Sequence, residues 1–369
     1  MKRREGAFRE GFTTGSAATA ASVAALHRLL HGHNLELVDI PVPPGAVKDT
    51  RLHIPVAETR ILADNTALSA VIKDGGDDPD ATHQARIEAI VHCTPGASGI
   101  AVRLDGGEGV GRVTLPGLPV PVGEAAINPG PRAQIERAIR EVCEQARFSG
   151  TIDITLKVPE GTRFARHTLN SRLGIVDGIS ILGTQGTVRP YSHEAWRQTI
   201  VQELNTARAL GYAHIALSSG RRSERLLMEA LGWPEHCFVQ AADFIGFAVQ
   251  EAAAKGFTCI VWGGFFGKLL KISQGHSFTH ARATRADFAS LAAQCKEHAL
   301  KSAIVEAITN ANTAAQALEA MLDDPAAPKV LLELTANALT VLRQCAGSEP
   351  GPEMSAHLFH LDGTQLVRI

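Results

Sequence analysis

The 369-residue chain lacks the features that identify several broad classes of protein. Its six cysteines are scattered, so neither CxxC nor any other zinc-ligand spacing occurs. Isolated cysteines in apolar segments are typical of reducing compartments, and we expect a cytoplasmic protein. No apolar run reaches the roughly 18 residues that span a membrane. The alanine-rich stretch near the N-terminus is interrupted by polar residues, which argues against a signal peptide.

A charge excess and the common cofactor motifs are absent too. The formal net charge is −2, so we expect neither nucleic acid nor a membrane as a partner. An anionic ligand would therefore have to be bound by local clusters of basic residues. The sequence contains no GxGxxG, no Walker loop and no GxSxG element, which are typical of dinucleotide, phosphate and serine-hydrolase sites.

Residues 1–165 predict a mixed α+β domain. Capping hydroxyls at Thr13–Ser16 precede a small-residue helix that runs to about Leu30, and a second helix runs from Pro131 to about Arg147. Alternating or apolar segments with turn residues between them predict strands. The predicted strands are Leu35–Val42, Arg51–Val56, Thr66–Ile72, Ala85–His92, Gly99–Leu104 and Thr151–Val158.

Residues 166–369 predict a Rossmann-like domain with a parallel sheet and a helical C-terminal part. Short apolar runs alternate there with helix-length segments, which is the pattern of a doubly wound sheet. The predicted strands are Ile175–Leu182, Ala213–Leu217, Cys237–Gln240 and Phe257–Trp262, and the helices that follow them are His193–Leu210, Ser223–Leu231, Phe244–Lys255 and Gly267–Ser273. The pattern from Asp287 to about Gln344 is largely helical, and Ala356–Ile369 predicts a further strand.

Loops after the predicted parallel strands form the candidate ligand site, because ligands bind at the carboxyl ends of such strands. These loops are Gly183–Gly186, Ser218–Gly220, Ala242–Phe244 and Gly263–Lys268. Glycine lets the backbone approach a ligand closely, although turns in α/β proteins also use glycine for their own geometry. The second strand does not end in an acidic residue, which argues against a standard NAD site. Asp243 is the better candidate for a ribose contact, with a helix N-cap as the alternative.

Two polar clusters raise the question of a metal. The acidic turn Asp77–Asp80 could bind a hard cation together with His83, but Asp and Gly around a proline are ordinary turn chemistry, which we favour. His276 and His280 lie four residues apart without an evident third ligand. We therefore expect no metal site.

Long motifs in the chain resemble those of one known family. In order along the sequence they are GFTTGSAATAA, KDGGDDPDATH, GGEGVGRVTLPGLPVPVGEAAINPGPR, TLNSRLGIVDGISILGTQGTVRPYSHEAW, DFIGFAVQEAAAKGF and FGKLLKIS. They span about Arg9 to Arg285 and closely resemble the cobalt-precorrin-5B C1-methyltransferases of the CbiD type, which act in cobalamin biosynthesis. The resemblance implies an enzyme that uses S-adenosylmethionine to methylate C1 of precorrin-5B, with or without cobalt, to give precorrin-6A.

From the fold, we assign S-adenosylmethionine to the loops at the strand ends. The candidate cofactor residues are Gly183, Thr184, Gly186, Gly220, Asp243, Phe244, Gly263 and Gly267. On this interpretation, replacing Gly183 with valine weakens cofactor binding by steric exclusion and leaves the fold intact.

The substrate that the resemblance implies carries acetate and propionate carboxylates, which arginine and lysine bind well. The candidate substrate residues are Thr14, Ser16, Asp77, Asp78, His83, Arg132, Arg172, Lys268, Lys271 and His280. No catalytic residue is assigned, because methyl transfer depends mainly on alignment of the reactants and exclusion of water. The oligomeric state, a homo-oligomer included, is left open.

Two loops differ from the family pattern. Where the family shows PGNxGE, this chain reads SGRRSE at Ser219–Glu224, and the family's GIFxTHSxxAD segment reads GHSFTHARATR, ending at Arg285. Arg221 and Arg222 change the shape and the charge of a presumed ligand edge. A diverged paralogue that binds a tetrapyrrole or a nucleotide without methyl transfer is therefore one alternative, and a nicotinamide-dependent reductase is another.

Overall fold

The computed structural model describes residues 8–47, 50–190, 192–347 and 350–369. It divides into two compact units, of which the first ends at His193 and the second begins at Glu194. This division falls later than the predicted boundary after residue 165, because residues 175–188 pair with strands of the first unit. No helix within the described ranges is both long enough and apolar enough to cross a membrane.

The first unit is a mixed α/β structure. Its helices are α1 (Thr14–His31), α2 (Pro129–Gln145) and α3 (Gly161–Ala165). Its strands are β1 (Gly11–Phe12), β2 (Leu37–Pro41), β3 (Arg51–Pro55), β4 (Glu58–Ala63), β5 (Thr66–Ile72), β6 (Arg86–Pro95), β7 (Ile100–Gly106), β8 (Gly109–Val110), β9 (Arg112–Val113), β10 (Gly150–Lys157), β11 (Ile175–Val176), β12 (Gly178–Ile179) and β13 (Thr187–Val188). The two predicted helices and six predicted strands of residues 1–165 each correspond to an observed element.

The main sheet of the first unit has five strands in the order β4-β5-β6-β10-β7. Its pairs are antiparallel except for β10 with β7. β10 alternates as predicted, and its buried side chains include Ile152, Ile154 and Leu156. α1 packs against α2, β5 and β6, and it is buried at every position from Thr14 to Leu26. Small alanine and serine side chains allow this close approach, so α1 is a core helix with no solvent-facing side along that stretch.

The prediction that Ile175–Leu182 forms a strand of the parallel sheet is wrong. These residues instead form β11 and β12, which pair with β9 and β8. Left-handed backbone at Asp177 (φ 63°) breaks the apolar run, because a strand needs continuous extended backbone. Gly178 lies against the backbone of Gly109, where a Cβ atom would come within 2.2 Å of a carbonyl oxygen. The run therefore belongs to the first unit.

The second unit is also mixed α/β. Its helices are α4 (His193–Ala209), α5 (Arg221–Leu231), α6 (Ile245–Ala254), α7 (Phe266–Ser273), α8 (Phe288–Glu297), α9 (Ser302–Thr309), α10 (Ala314–Leu322) and α11 (Ala327–Ala346). Its strands are β14 (His214–Ser218), β15 (Phe238–Gln240), β16 (Cys259–Phe265), β17 (Glu353–Phe359) and β18 (Gln365–Arg368).

The sheet of the second unit has the order β15-β14-β16-β17-β18. The first four strands are mutually parallel, and β18 pairs antiparallel with β17. Leu227 of α5 packs with Ala216 and Val261 on one face. Ile215 and Trp262 lie in the larger core on the other face, which α4, α6, α7 and α11 cover. Both faces of the parallel strands are thus buried, and the carboxyl ends of β14, β15 and β16 meet at one edge.

Candidate functional site

The Gly183–Gly186 loop holds the N-terminus of α1. The Thr13 N–H donates to the Gly186 carbonyl at 3.0 Å, and the Gly15 N–H donates to the Leu182 carbonyl at 3.1 Å. These bonds satisfy N–H groups that a helix leaves without partners in its first turn. The start of α1 is therefore already occupied by the protein's own carbonyl groups and does not offer these donors to an anion.

Two predicted substrate residues, Thr14 and Ser16, belong to the same contact. The Thr14 hydroxyl accepts from the Leu182 N–H at 2.9 Å and donates to the Leu182 carbonyl at 3.1 Å. The Ser16 hydroxyl donates to the Gly186 carbonyl at 2.8 Å. Thr14 is 3% exposed and Ser16 is 0% exposed. Both side chains thus fasten the loop to the helix.

Packing accounts for the glycines of this loop. Gly183 has φ +140° and Gly186 has φ +79°, values that favour glycine. A Cβ atom on Gly183 would lie 2.4–2.6 Å from three side-chain atoms of Thr13. The expectation that valine at Gly183 leaves the fold intact is therefore wrong, because the added side chain would displace Thr13 or the loop. Thr184, between them, is exposed.

The acidic segment of the first unit is a hydrogen-bonded turn. The Asp77 carboxylate accepts from the Arg9 N–H at 2.8 Å, and His83 Nδ1 accepts from the Gly75 N–H at 3.0 Å. The Asp78 N–H points to the Gly75 carbonyl at 3.4 Å. Across the described residues, no group of three or more His, Cys, Asp or Glu side chains could hold a metal ion. Asp77 and Asp78 lie in the first part of this segment, and His83 lies in a second turn that its bond with Gly75 joins to the first.

Ion pairs stabilise this turn. Buried Lys73 pairs with Asp80, and Arg9 pairs with Asp74 through Nη2 at 2.9 Å. The hydrogen bond from Arg9, with one from the Gly76 N–H, lowers the pKa of Asp74 to about 2. The charge of Asp74 is therefore retained well below neutral pH.

The two predicted arginines of the first unit lie in other places. Arg132, in α2, donates to the Leu104 carbonyl at 3.3 Å and lies 3.7 Å from the Glu124 carboxylate. Arg172 is half-buried in a short 3₁₀ helix, Ser171–Leu173.

The second unit has a cavity of about 1080 Å³ at the carboxyl ends of its parallel strands. Loops after β14 and β15 and the β16–α7 junction line it, as expected for an open parallel sheet. The predicted residues that it brings together are Gly220, Asp243, Gly267, Lys268, Lys271 and His280. Its volume lies just above the ~300–1,000 Å³ typical of ligand pockets, so it can hold a large ligand.

Asp243 lies in a polar network at the floor of this cavity. Its Oδ1 atom accepts from Lys268 Nζ and, at 3.1 Å, from the Thr279 hydroxyl. Phe244 is the N-cap residue of α6, without a side-chain capping bond, so the alternative role of Asp243 as a helix cap is not observed. Ala242 before it has φ +49°, a left-handed conformation that is strained for alanine.

Lys271 also lines this cavity. Its ammonium donates to the Thr279 carbonyl at 2.9 Å. Burial lowers the pKa of Lys271, and repulsion from Lys268 lowers it further. Two lysines close enough to repel one another indicate a positive potential in the cavity, which favours an anionic ligand.

The predicted glycines of the second unit differ in their surroundings. A Cβ atom on Gly220 would meet no heavy atom within 4 Å, so its backbone is open to a ligand. On Gly267 it would lie 3.3 Å from Ala314. On Gly263 it would lie 2.3 Å from Leu227, which means that Gly263 is required for packing α5 on the sheet.

Phe244 lines a separate cavity of about 380 Å³ in the same unit. Phe247, Phe278 and Arg197 line it too. The Arg197 guanidinium carbon lies 5.5 Å from the ring centre of Phe244 and 5.2 Å from that of Phe247. Asp243 lines the larger cavity, so two residues that are adjacent in the chain line two different cavities.

Family comparisons cover both ends of the chain. Residues 1–190 match the family model described as CbiD, and residues 278–368 match the model described as CbiD, C-terminal domain. The chain belongs to the CbiD family. The resemblance inferred from the sequence motifs is thereby confirmed.

Two relatives of this CbiD-family chain share one name. It is 54% identical over 368 residues to the cobalt-precorrin-5B C(1)-methyltransferase of Nitratidesulfovibrio vulgaris, covering 99% of this chain and 94% of the relative. It is 41% identical over 359 residues to the enzyme of that name from Geobacillus thermodenitrificans, covering 97% and 94%. A crystal structure of cobalamin biosynthesis protein (cbiD) from Archaeoglobus fulgidus is 28% identical, covers 71% of this chain and 78% of its own, and has a TM-score of 0.38.

Three further arginines of this CbiD-family chain line the large cavity. Arg221, Arg222 and Arg285 come from the two loops that differ from the family pattern. The position of Arg221 and Arg222 directly after a parallel strand was a signal for the site. Arg285 gave no such signal, because it does not follow a strand and only the tertiary fold brings it to the cavity.

Proposed function

We propose that this CbiD-family chain is a cobalt-precorrin-5B C1-methyltransferase of cobalamin biosynthesis. Relatives of that name match it over nearly their whole length, at up to 54% identity. The observation that supports a site is the large cavity at the carboxyl ends of β14, β15 and β16, with basic residues on its walls. We also propose that the second unit is Rossmann-like, which its parallel strands, covered on both faces, support.

We assign S-adenosylmethionine to this cavity, and its residues fit the group. Gly220 offers open backbone, Asp243 offers a carboxylate that can accept from a ribose hydroxyl, and Gly267 lies at the start of α7. Phe244 lines the other cavity, so its ring is not part of this assignment. When bound, S-adenosylmethionine supplies an activated methyl group. We do not extend the assignment to Gly183, Gly186 and Gly263, because packing accounts for their missing side chains.

The corrin substrate is assigned to the same cavity. Lys268, Lys271 and His280 line it and can bind carboxylates on the macrocycle periphery. Phe265 and Phe288 add apolar wall that excludes water. The residues thus act by binding and orienting the reactants, which is where most of the acceleration of a methyl transfer arises. Substrate contacts by Asp77, Asp78, His83, Arg132 and Arg172 of the first unit stay predictions.

Calorimetric titration of the purified chain with S-adenosylmethionine and with S-adenosylhomocysteine tests the proposal. We expect saturable binding near one equivalent, and about 10-fold weaker binding by Asp243→Asn because a charge-assisted hydrogen bond is lost. Asp323→Asn is the matched control, since Asp323 is exposed and does not line the cavity. Absence of binding by a folded chain, with and without a corrinoid present, would contradict the proposal and favour a paralogue that has lost methyl transfer.

A further inference from the structure

We propose that Arg221, Arg222 and Arg285 form an arginine rim that selects corrin substrates by the carboxylates on their periphery. The inference rests on the proposed function and adds specificity-determining residues to its site. None of the three was among the substrate residues assigned from the sequence.

The rim comes from two separate segments that meet at one cavity. Arg221 and Arg222 are the first two residues of α5, directly after the Ser219–Gly220 turn at the end of β14. Arg285 follows Thr284, whose hydroxyl donates to the Phe278 carbonyl at 2.8 Å and fixes that segment. All three arginines are exposed. Their guanidinium groups therefore stand at the solvent side of the cavity, while Lys268 and Lys271 stand deeper.

The positive charge of the cavity favours a ligand with several negative groups. Five cationic side chains line it, namely the three rim arginines with Lys268 and Lys271, against one carboxylate, Asp243, among the described lining residues. That carboxylate is already paired with Lys268. The whole chain has a net charge of −2, so this excess of positive charge is local. A cavity lined by one sign of charge attracts a ligand of the opposite sign and orients it.

Two of the three rim arginines, Arg221 and Arg285, have guanidinium groups that are available for binding through two N–H groups at once. The structure places no carboxylate or carbonyl of the described residues in contact with Arg221 or Arg285. Arg222 is oriented by the Phe265 ring, 5.8 Å from its guanidinium carbon, and by the Leu361 carbonyl. Arginine binds a carboxylate through two parallel hydrogen bonds, one to each oxygen. A primary amide has only one acceptor oxygen and cannot form this pair of bonds. The rim thus distinguishes a carboxylate from its amide.

The test compares two probes, cobyrinic acid, a cobalt corrin whose side chains end in carboxylates, and cobinamide, whose side chains end in amides. We expect the wild type to bind the acid at least 100-fold more tightly. In the triple variant Arg221→Gln, Arg222→Gln, Arg285→Gln, affinity for the acid falls by about 10-fold per arginine that contacts a carboxylate, while affinity for the amide is unchanged. Raising the salt concentration should weaken the acid complex in the wild type more than in the variant.

Arg225→Gln is the matched control, because Arg225 lies on the same helix, is exposed and pairs with Glu229 outside the cavity. The double variant Arg221→Gln, Arg285→Gln retains the Arg222 contacts and covers the case in which the triple variant does not fold. An acid-to-amide affinity ratio that is the same in the variants as in the wild type overturns the proposal, and so does a wild type that binds neither corrin.

Titration of the same preparations with S-adenosylmethionine separates this proposal from the proposed function. A rim-dependent preference for the acid in a chain that does not bind S-adenosylmethionine, with or without a corrinoid present, would uphold the arginine rim and contradict the methyltransferase. Methyl transfer with an unchanged affinity ratio would uphold the enzyme and contradict the rim.

Discussion

Gly183→Ala tests how tightly the Gly183–Gly186 loop is built onto α1. The φ angle of Gly183 is +140°, and holding a residue with a side chain there costs about 1–3 kcal/mol. The new Cβ atom would lie 2.4 Å from the Thr13 hydroxyl oxygen, and relief of such overpacking costs about 1–3 kcal/mol more. Together we expect the free energy of unfolding to fall by about 2–6 kcal/mol. That is a large share of the ~5–15 kcal/mol that stabilises a typical protein.

Urea unfolding followed by circular dichroism measures the loss, with Gly32→Ala as the matched control. Gly32 also has positive φ, +75°, but a Cβ atom there would meet nothing within 4 Å. Its substitution carries backbone strain alone, about 1–2 kcal/mol. If Gly183→Ala were no more destabilising than Gly32→Ala, the argument from the contact with Thr13 would be refuted.

Three further predictions concern the polar contacts. Thr14→Val removes both hydrogen bonds to Leu182 and should destabilise the protein by about 1–3 kcal/mol in the same urea assay; an unchanged free energy of unfolding would contradict this. The pKa of Asp74, lowered from 3.8 to about 2, means that its charge stabilises the fold above about pH 4 and ceases to do so as the pH falls towards 2. Asp74→Asn should therefore lower stability at pH 7, have little effect at pH 2 and flatten the acid limb of stability against pH; a parallel shift at all pH values would contradict this. Asp243→Ala should cost about 1–3 kcal/mol by leaving Lys268 without its carboxylate, and Lys268→Met should recover part of that loss if the pair is coupled.

Local sequence pattern predicted eight of the sixteen α-helices and strands described in the first unit. Thr66–Ile72 was predicted with the observed bounds, and the capping hydroxyls before α1 marked its start. β4 was missed because its residues are largely exposed and carry no apolar alternation. The periodicity of apolar residues reveals a strand only when one of its faces is buried. An exposed edge strand lacks that signal.

Residues of the candidate site could be predicted where a polar side chain lies in the loop directly after a predicted strand. Asp243 and Lys268 were found in this way and lie in one cavity. The Gly183 loop was misplaced because an apolar run followed by glycines does not specify which sheet it joins. Its partners, β8 and α1, are distant in sequence, and their choice is decided by packing against Gly109 and Thr13.

The position of β17 has a consequence for how the second unit is made on the ribosome. β17 pairs with β16, although helices α7 to α11 separate the two strands in sequence. Until Glu353–Phe359 has been synthesised, one edge of β16 has no neighbour and presents unpaired backbone groups around Trp262. Pairing at such sequence separation is slow. An unpaired edge can pair with a strand of another chain, so we expect the yield of the second unit to depend on chaperones that shield that edge.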